Sequence, residues 1–159
     1  LSSTLTLSRN QLRNFREVVY IYNDDYDLVG QRELEYRNST ISFSPAVVSA
    51  STVEAQPLKG LRTALLLKTV SRQFLDNSAS SERSIPAYQV LDLRLRYTLR
   101  PAWLQEIELG LLVNNLLNQE YVSNGYTFGN FDTAGQRLSF NYYYPQATRN
   151  FLLSVGLKL

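Results

Sequence analysis

YYYPQATRNFLLSVGLKL (142–159) closes the chain, and its reading decides the fold. From Ala147 onward apolar and polar residues alternate. Phe151, Leu153, Val155, Leu157 and Leu159 fall on one side, and Asn150, Ser154, Gly156 and Lys158 on the other, with Leu152 the one apolar exception. Successive side chains of a strand point to opposite faces of a sheet, so this run reads as a strand with one apolar and one polar face. Strands of soluble sheets typically run ~5–6 residues. Crossing a bilayer takes a tilted strand of roughly 9–11 residues, which is what this segment offers.

The same pattern recurs upstream. EIELGLLV (106–113) sets Ile107, Leu109, Leu111 and Val113 against Glu106, Glu108 and Gly110. AYQVLDLRLRYTL (87–99) sets Leu91, Leu93, Leu95, Tyr97 and Leu99 against Asp92, Arg94, Arg96 and Thr98. LRTALLLKTVSRQF (61–74) puts Leu61, Leu65 and Leu67 outward and Arg62, Lys68 and Arg72 inward, with Leu66 and Val70 blurring the pattern. TISFSPAVV (40–48) alternates around Pro45, which cannot donate to a ladder and predicts a bulge, a break or an edge. LSSTLTLS (1–8) alternates leucines with small hydroxyl residues. The fold class that follows is all-β: an antiparallel meander of about six long strands, forming part of a transmembrane β-barrel.

The connections between these strands alternate in length. QPLKG (56–60) and RPAWLQ (100–105) are short, whereas 9–37, 76–86 and 122–145 are long; the first of the long ones has FREVVYIY (15–22) and RELEYRN (32–38) as the legs of a projecting hairpin. Outer-membrane barrels have short periplasmic turns and long extracellular loops. With the C-terminus on the periplasmic side, all three long connections fall outside. Counting across the 100–105 turn brings Arg96 near Glu108 on one face, a cross-strand pair worth about 0.2–1 kcal/mol.

Composition removes several function classes. The 159 residues include no Cys, His or Met, which rules out disulfides, thiolate and imidazole metal sites, and any Cys–His or Ser–His nucleophile pair. No catalytic constellation and no cofactor motif is present, so an enzyme is not expected. Asp24, Asp25 and Asp27 beside Gly30 read as a solvated turn, since their spacing lacks a calcium loop. The net charge of +2 comes from interleaved basic and acidic residues, with no basic patch for nucleic acid. No apolar run approaches the ~18 residues of a membrane helix.

The run VNNLLNQEYVSNGYTFG (113–129), followed by the closing strand, resembles the C-terminal end of TonB-dependent outer-membrane receptors, particularly those of Bacteroidetes-type bacteria. KGLRTALLLKTVSRQFLDN (59–77) and YQVLDLRLRYTL (88–99) are similar to the same family in the same order. Leu117 stands where the family's Asn-Leu-Phe-Asn stretch usually has Phe. Leu159 replaces the usual closing aromatic, and Ser154 replaces a usual Gly. The resemblance implies a parent barrel of about 22 strands around an N-terminal plug, of which residues 1–159 are a C-terminal fragment without plug or earlier strands. It further implies a Gram-negative outer-membrane location and high-affinity uptake of a scarce nutrient, an iron–siderophore complex. The implied partners are outer-membrane lipid, the small ligand, the TonB complex through the missing N-terminal region, and the barrel-assembly machinery, which would read Leu157 and Leu159.

Two groups of site residues are expected. Tyr126, Phe128 and Phe131 in the last long connection are candidate ligand contacts, because aromatic rings offer stacking area. Tyr97, Tyr142, Tyr143 and Tyr144 fall to the aromatic girdle at the lipid–water boundary. Arg62, Lys68, Arg72, Asp92, Arg94, Arg96, Glu106 and Glu108 are expected to face the lumen and plug. Two other architectures fit the length. One is a complete small barrel of about eight strands with a structural or adhesion role; the other is a soluble β-sandwich binding module, with the apolar faces forming an internal core.

Overall fold

A computed structural model describes residues 1–159, all of them in strands, turns and loops without a helix. The strands are β1 (Ser2–Leu7), β2 (Gln11–Tyr22), β3 (Leu28–Thr40), β4 (Val47–Leu58), β5 (Leu61–Val70), β6 (Gln73–Phe74), β7 (Ser84–Ile85), β8 (Tyr88–Leu99), β9 (Glu106–Asn114), β10 (Val122–Phe131), β11 (Arg137–Pro145) and β12 (Asn150–Lys158). Six of them form one antiparallel sheet in the order β1-β4-β5-β8-β9-β12. This is the long-stranded meander that the alternating pattern predicts.

The skipped strands explain the order. Each long connection makes an excursion: β2–β3 between β1 and β4, β6–β7 between β5 and β8, and β10–β11 between β9 and β12. The short connections, at 59–60 and 100–105, lie at the other end of the sheet. At the first of these Gly60 has φ +83°, and a Cβ there would lie 2.5 Å from the Thr98 carbonyl oxygen. Both the backbone conformation and the close approach require glycine.

Register separates the two faces. Leu65, Leu93, Val113 and Phe151 form one row across four strands, and Leu95, Leu111 and Leu153 another. On the opposite face Arg62 stands across from Arg96, Ala64 from Arg94, and Glu106 from Lys158. Leu152, the exception in the closing strand, stands opposite Leu112 on the charged face and remains 61% exposed.

β1 and β12 are free edges of this sheet, which excludes the closed eight-stranded barrel for these residues. The sandwich is excluded by burial. The accessible surface is 11201 Å², against about 8,100 Å² for a compact monomer of this mass. Leu153 is 77% exposed and Leu157 66%, and the apolar face has no second layer over it. The buried residues, among them Val19, Leu75, Ile85 and Phe131, gather instead at the end carrying the long connections.

Three boundaries differ from expectation. The strand expected at 40–48 is broken: residues 41–46 turn around Pro45, with Phe43 at φ +52°, and β4 begins only at Val47. Ser8 fastens the turn, its N–H donating to the Ala46 carbonyl (2.9 Å) and its hydroxyl to that of Pro45 (2.7 Å). The strand expected to reach Phe74 ends at Val70. Residues 122–145 are not an irregular loop but the β10–β11 hairpin.

Candidate functional site

The outer excursions form one block. β2 pairs with β3, β10 with β11, and a single parallel bridge between Ile21 and Phe131 joins the hairpins into a four-stranded sheet. One backbone bridge is a weak joint, and side chains reinforce it. Arg137 of β11 donates to both carboxylate oxygens of Glu17 on β2, at 2.6 and 3.1 Å. The Tyr36 hydroxyl of β3 donates to the same carboxylate at 2.9 Å. The Phe131 ring lies 5.0 Å from the guanidinium of Arg32 and 6.0 Å from that of Arg137. Burial, followed by the neighbouring Glu17 carboxylate, pushes the Tyr36 phenol above its usual range. Burial pulls Arg137 down, but Glu17 outweighs it and holds the guanidinium charge more firmly.

The β6–β7 segment covers one face of the β10–β11 hairpin. Arg83 donates to the Ser139 hydroxyl (3.3 Å), Asn141 to the Glu82 carbonyl (2.8 Å) and the Tyr143 hydroxyl to the Ser84 carbonyl (3.1 Å). Gly125 makes this packing possible, because a Cβ there would lie 3.2 Å from Leu75 and 2.5 Å from the Tyr142 carbonyl oxygen.

The hairpin's other face is bare and aromatic. Tyr126 stacks on Tyr142 at 5.0 Å between centroids, Phe128 on Phe140 at 5.3 Å, and Phe128 on Tyr142 at 5.7 Å. Tyr144 extends the ladder 6.2 Å from Tyr126. The rings stack on one another and still stay about half exposed, Tyr126 at 45% and Tyr144 at 53%. Of the expected ligand contacts, Tyr126 and Phe128 belong to this ladder, Phe128 being 54% exposed. Phe131 does not: it points to the opposite face and is only 6% exposed, beneath Arg32 and Arg137. Phe140, which periodicity in a supposed loop did not single out, is brought in by the hairpin register. Of the tyrosines expected at the girdle, Tyr142 and Tyr144 join the ladder, whereas Tyr143 turns the other way onto Ser84.

Along the sheet, Arg62, Lys68, Asp92, Arg94, Arg96, Glu106 and Glu108 share one face by register. Arg72 lies past the end of β5, in the connection to β6, and so is not on a wall strand. Arg96 and Glu108 approach to 3.4 Å, Glu106 accepts two bonds from Arg100 at 2.9 and 3.2 Å, and Asp92 accepts the Asn115 N–H at 2.8 Å. No group of three His, Cys, Asp or Glu is arranged to hold a metal ion. Asp25 and Asp27 donate their backbone N–H groups to the Asn23 side-chain oxygen, building the β2–β3 turn.

The NNLLN stretch is a joint. Asn115 is buried with φ +51°, and Asn118 has φ +55°, conformations asparagine tolerates better than most residues. The Asn115 amide donates to the Gln119 carbonyl at 2.8 Å and its oxygen accepts the Gln119 N–H at 2.9 Å. Asn114 bonds Asn150 (2.8 Å), and Asn118 accepts the Arg149 N–H (3.0 Å), so the motif seats the closing strand. Tyr121 stacks on Tyr88 at 4.8 Å. Leu157 lies on the apolar face opposite Ile107, and Leu159 follows the end of β12, 88% exposed.

No family model matches the chain, and no curated protein matches it. Solved structures do. The siderophore receptor PiuA from Acinetobacter baumannii is similar over 80% of this chain, with TM-score 0.62 and 18% identity. The unliganded ferric citrate transporter FecA is similar over 74%, with TM-score 0.52 and 22% identity. The ferric-catecholate import receptor Fiu from E. coli K12 is similar over 99%, with TM-score 0.56 and 16% identity. The matches cover 16, 17 and 25% of those proteins' own chains, respectively. The chain therefore has the fold of part of a TonB-dependent receptor β-barrel.

Proposed function

We propose that this chain is a C-terminal portion of the barrel of a TonB-dependent outer-membrane receptor, with the C-terminus periplasmic and the outer hairpins extracellular. The observation that carries the reading is the open six-stranded sheet with an uncovered apolar face, matching barrel walls of siderophore and ferric citrate receptors. The free edges of β1 and β12 leave backbone groups unpaired, which hydrocarbon does not tolerate; neighbouring barrel strands would satisfy them. The assignment to the Bacteroidetes type rests on the NNLLN and closing-strand motifs of the sequence.

In this reading the parent protein takes up a scarce nutrient, an iron–siderophore complex, without covalent chemistry. The aromatic ladder on the β10–β11 hairpin supplies outer ligand contacts through Tyr126 and Phe128, and the charged face lines the passage beside the plug. TonB would act through a plug-bearing N-terminal region, and the closing strand with Leu157 and Leu159 would be read by the assembly machinery. The test is uptake of radiolabelled iron by a Gram-negative host stripped of its own receptors and carrying the full-length gene. Uptake of one siderophore complex that stops when TonB is deleted is expected; absence of TonB-dependent uptake across siderophore classes would refute the assignment.

A further inference from the structure

We infer that the charged face carries a binding basin for a single carboxylate, spanning β4, β5 and β8 near the short-turn end. Arg62 and Arg96 are direct register partners, and Arg94 lies on the same face two residues away. Like charges placed opposite each other destabilise a sheet. Arg96 is relieved by Glu108 at 3.4 Å, but no carboxylate lies within 4 Å of Arg62 or Arg94. These arginines line a concavity together with Glu54, Gln56 and Ala64. Ala64 stands in register between Glu54 and Arg94, and its small side chain leaves the floor of the basin open.

The unpaired guanidiniums set the ligand class: of the three arginines only Arg96 has a carboxylate within 4 Å, so Arg62 and Arg94 are left to share an incoming one. A planar guanidinium fork binds a carboxylate in bidentate fashion, giving geometric selectivity that a lysine lacks. The carboxylate comes either from a small molecule or from an Asp or Glu side chain of another segment of the same protein. Neither source depends on which nutrient the parent receptor transports.

The test is labelling of the full-length protein in outer-membrane preparations with an arginine-selective dicarbonyl reagent, read site by site by peptide mass spectrometry. Arg37, exposed and without an ion-pair partner, is the internal reference. If the basin is empty, Arg62 and Arg94 label as fast as Arg37 in chloride and several-fold slower in acetate at equal ionic strength. If a side chain of the protein fills it, both label several-fold slower than Arg37 and recover its rate in high chloride. Fast labelling indifferent to acetate overturns the proposal, and so does slow labelling indifferent to salt.

Discussion

Replacing Arg137 with alanine should loosen the joint between the two outer hairpins and, through it, the β2–β3 ladder that the joint supports. Only one backbone bridge, Ile21 to Phe131, joins β2 to β10, so the joint depends on side chains. Arg137 contributes two hydrogen bonds to the Glu17 carboxylate. Bonds to charged groups are worth about 1.5–3 kcal/mol. The Arg137 and Glu17 side chains are 19% and 22% exposed, so solvent screening places the pair low in that range. Loss of the Arg137 contact to the Phe131 ring adds about 0.5–1 kcal/mol. The sum is about 2 kcal/mol, or about 30-fold in a local opening equilibrium. Hydrogen exchange on the full-length protein reads that equilibrium directly. Amides of Val18–Ile21 and their β3 partners should exchange about 30-fold faster in Arg137→Ala. A Glu17→Ala/Arg137→Ala double variant should be little worse than either single one. Unchanged exchange in β2 and β3, with changes confined to β10–β11, would refute the coupling. The Tyr36 phenol adds a pH signature. Its pKa is raised in the folded state, so its contribution is fully present below the ordinary tyrosine pKa of 10.0 and is lost as pH rises through the higher folded value. Through Tyr36 the protection should be level at neutral pH and fall only in strong alkali.

Gly60→Val should cost about 1–2 kcal/mol from the left-handed backbone alone, and more from the clash with the Thr98 carbonyl; a lower yield of heat-modifiable barrel on gels checks it. Leu153→Arg should destabilise the barrel by about 2–4 kcal/mol if the apolar face meets the bilayer midplane. Gly156→Lys, opposite Glu108 on the charged face, should be near neutral, and unfolding in lipid vesicles compares the two. Tyr126→Ala with Phe128→Ala should weaken siderophore binding several-fold. Phe131→Ala should instead increase protease cleavage of the outer block, since it removes a buried ring worth about 3–5 kcal/mol; equal losses of binding from both would contradict the division.

The wall strands are legible in the sequence wherever the two faces differ in chemistry. Leu91 to Leu99 against Asp92 to Thr98 is such a case, and the Arg96–Glu108 pair follows because a short hairpin sets its own register. β4 is harder to see, since VSASTVEA (48–55) has small residues on both faces and little alternation to read. β10 hides for a related reason. Its rings alternate with Gly125, Thr127 and Gly129, and glycine-rich composition reads as loop. Those glycines are there because one face packs against the β6–β7 segment and the neighbouring strand backbone. The placement of Phe131 depends on the turn at 132–136, and the Arg137–Glu17 pair joins residues 120 positions apart, for which no local pattern exists.

The central claim is that the leucine face meets hydrocarbon and the arginine face meets water. Single cysteines at positions 93, 109, 153 and 157, and at 94 and 108, carry a fluorophore in the full-length protein reconstituted in vesicles. Quenchers attached to lipid acyl chains should quench the first set, and a water-soluble quencher the second. Labels at Leu109 and Leu153 that respond to the aqueous quencher and ignore the lipid-borne one would contradict the account.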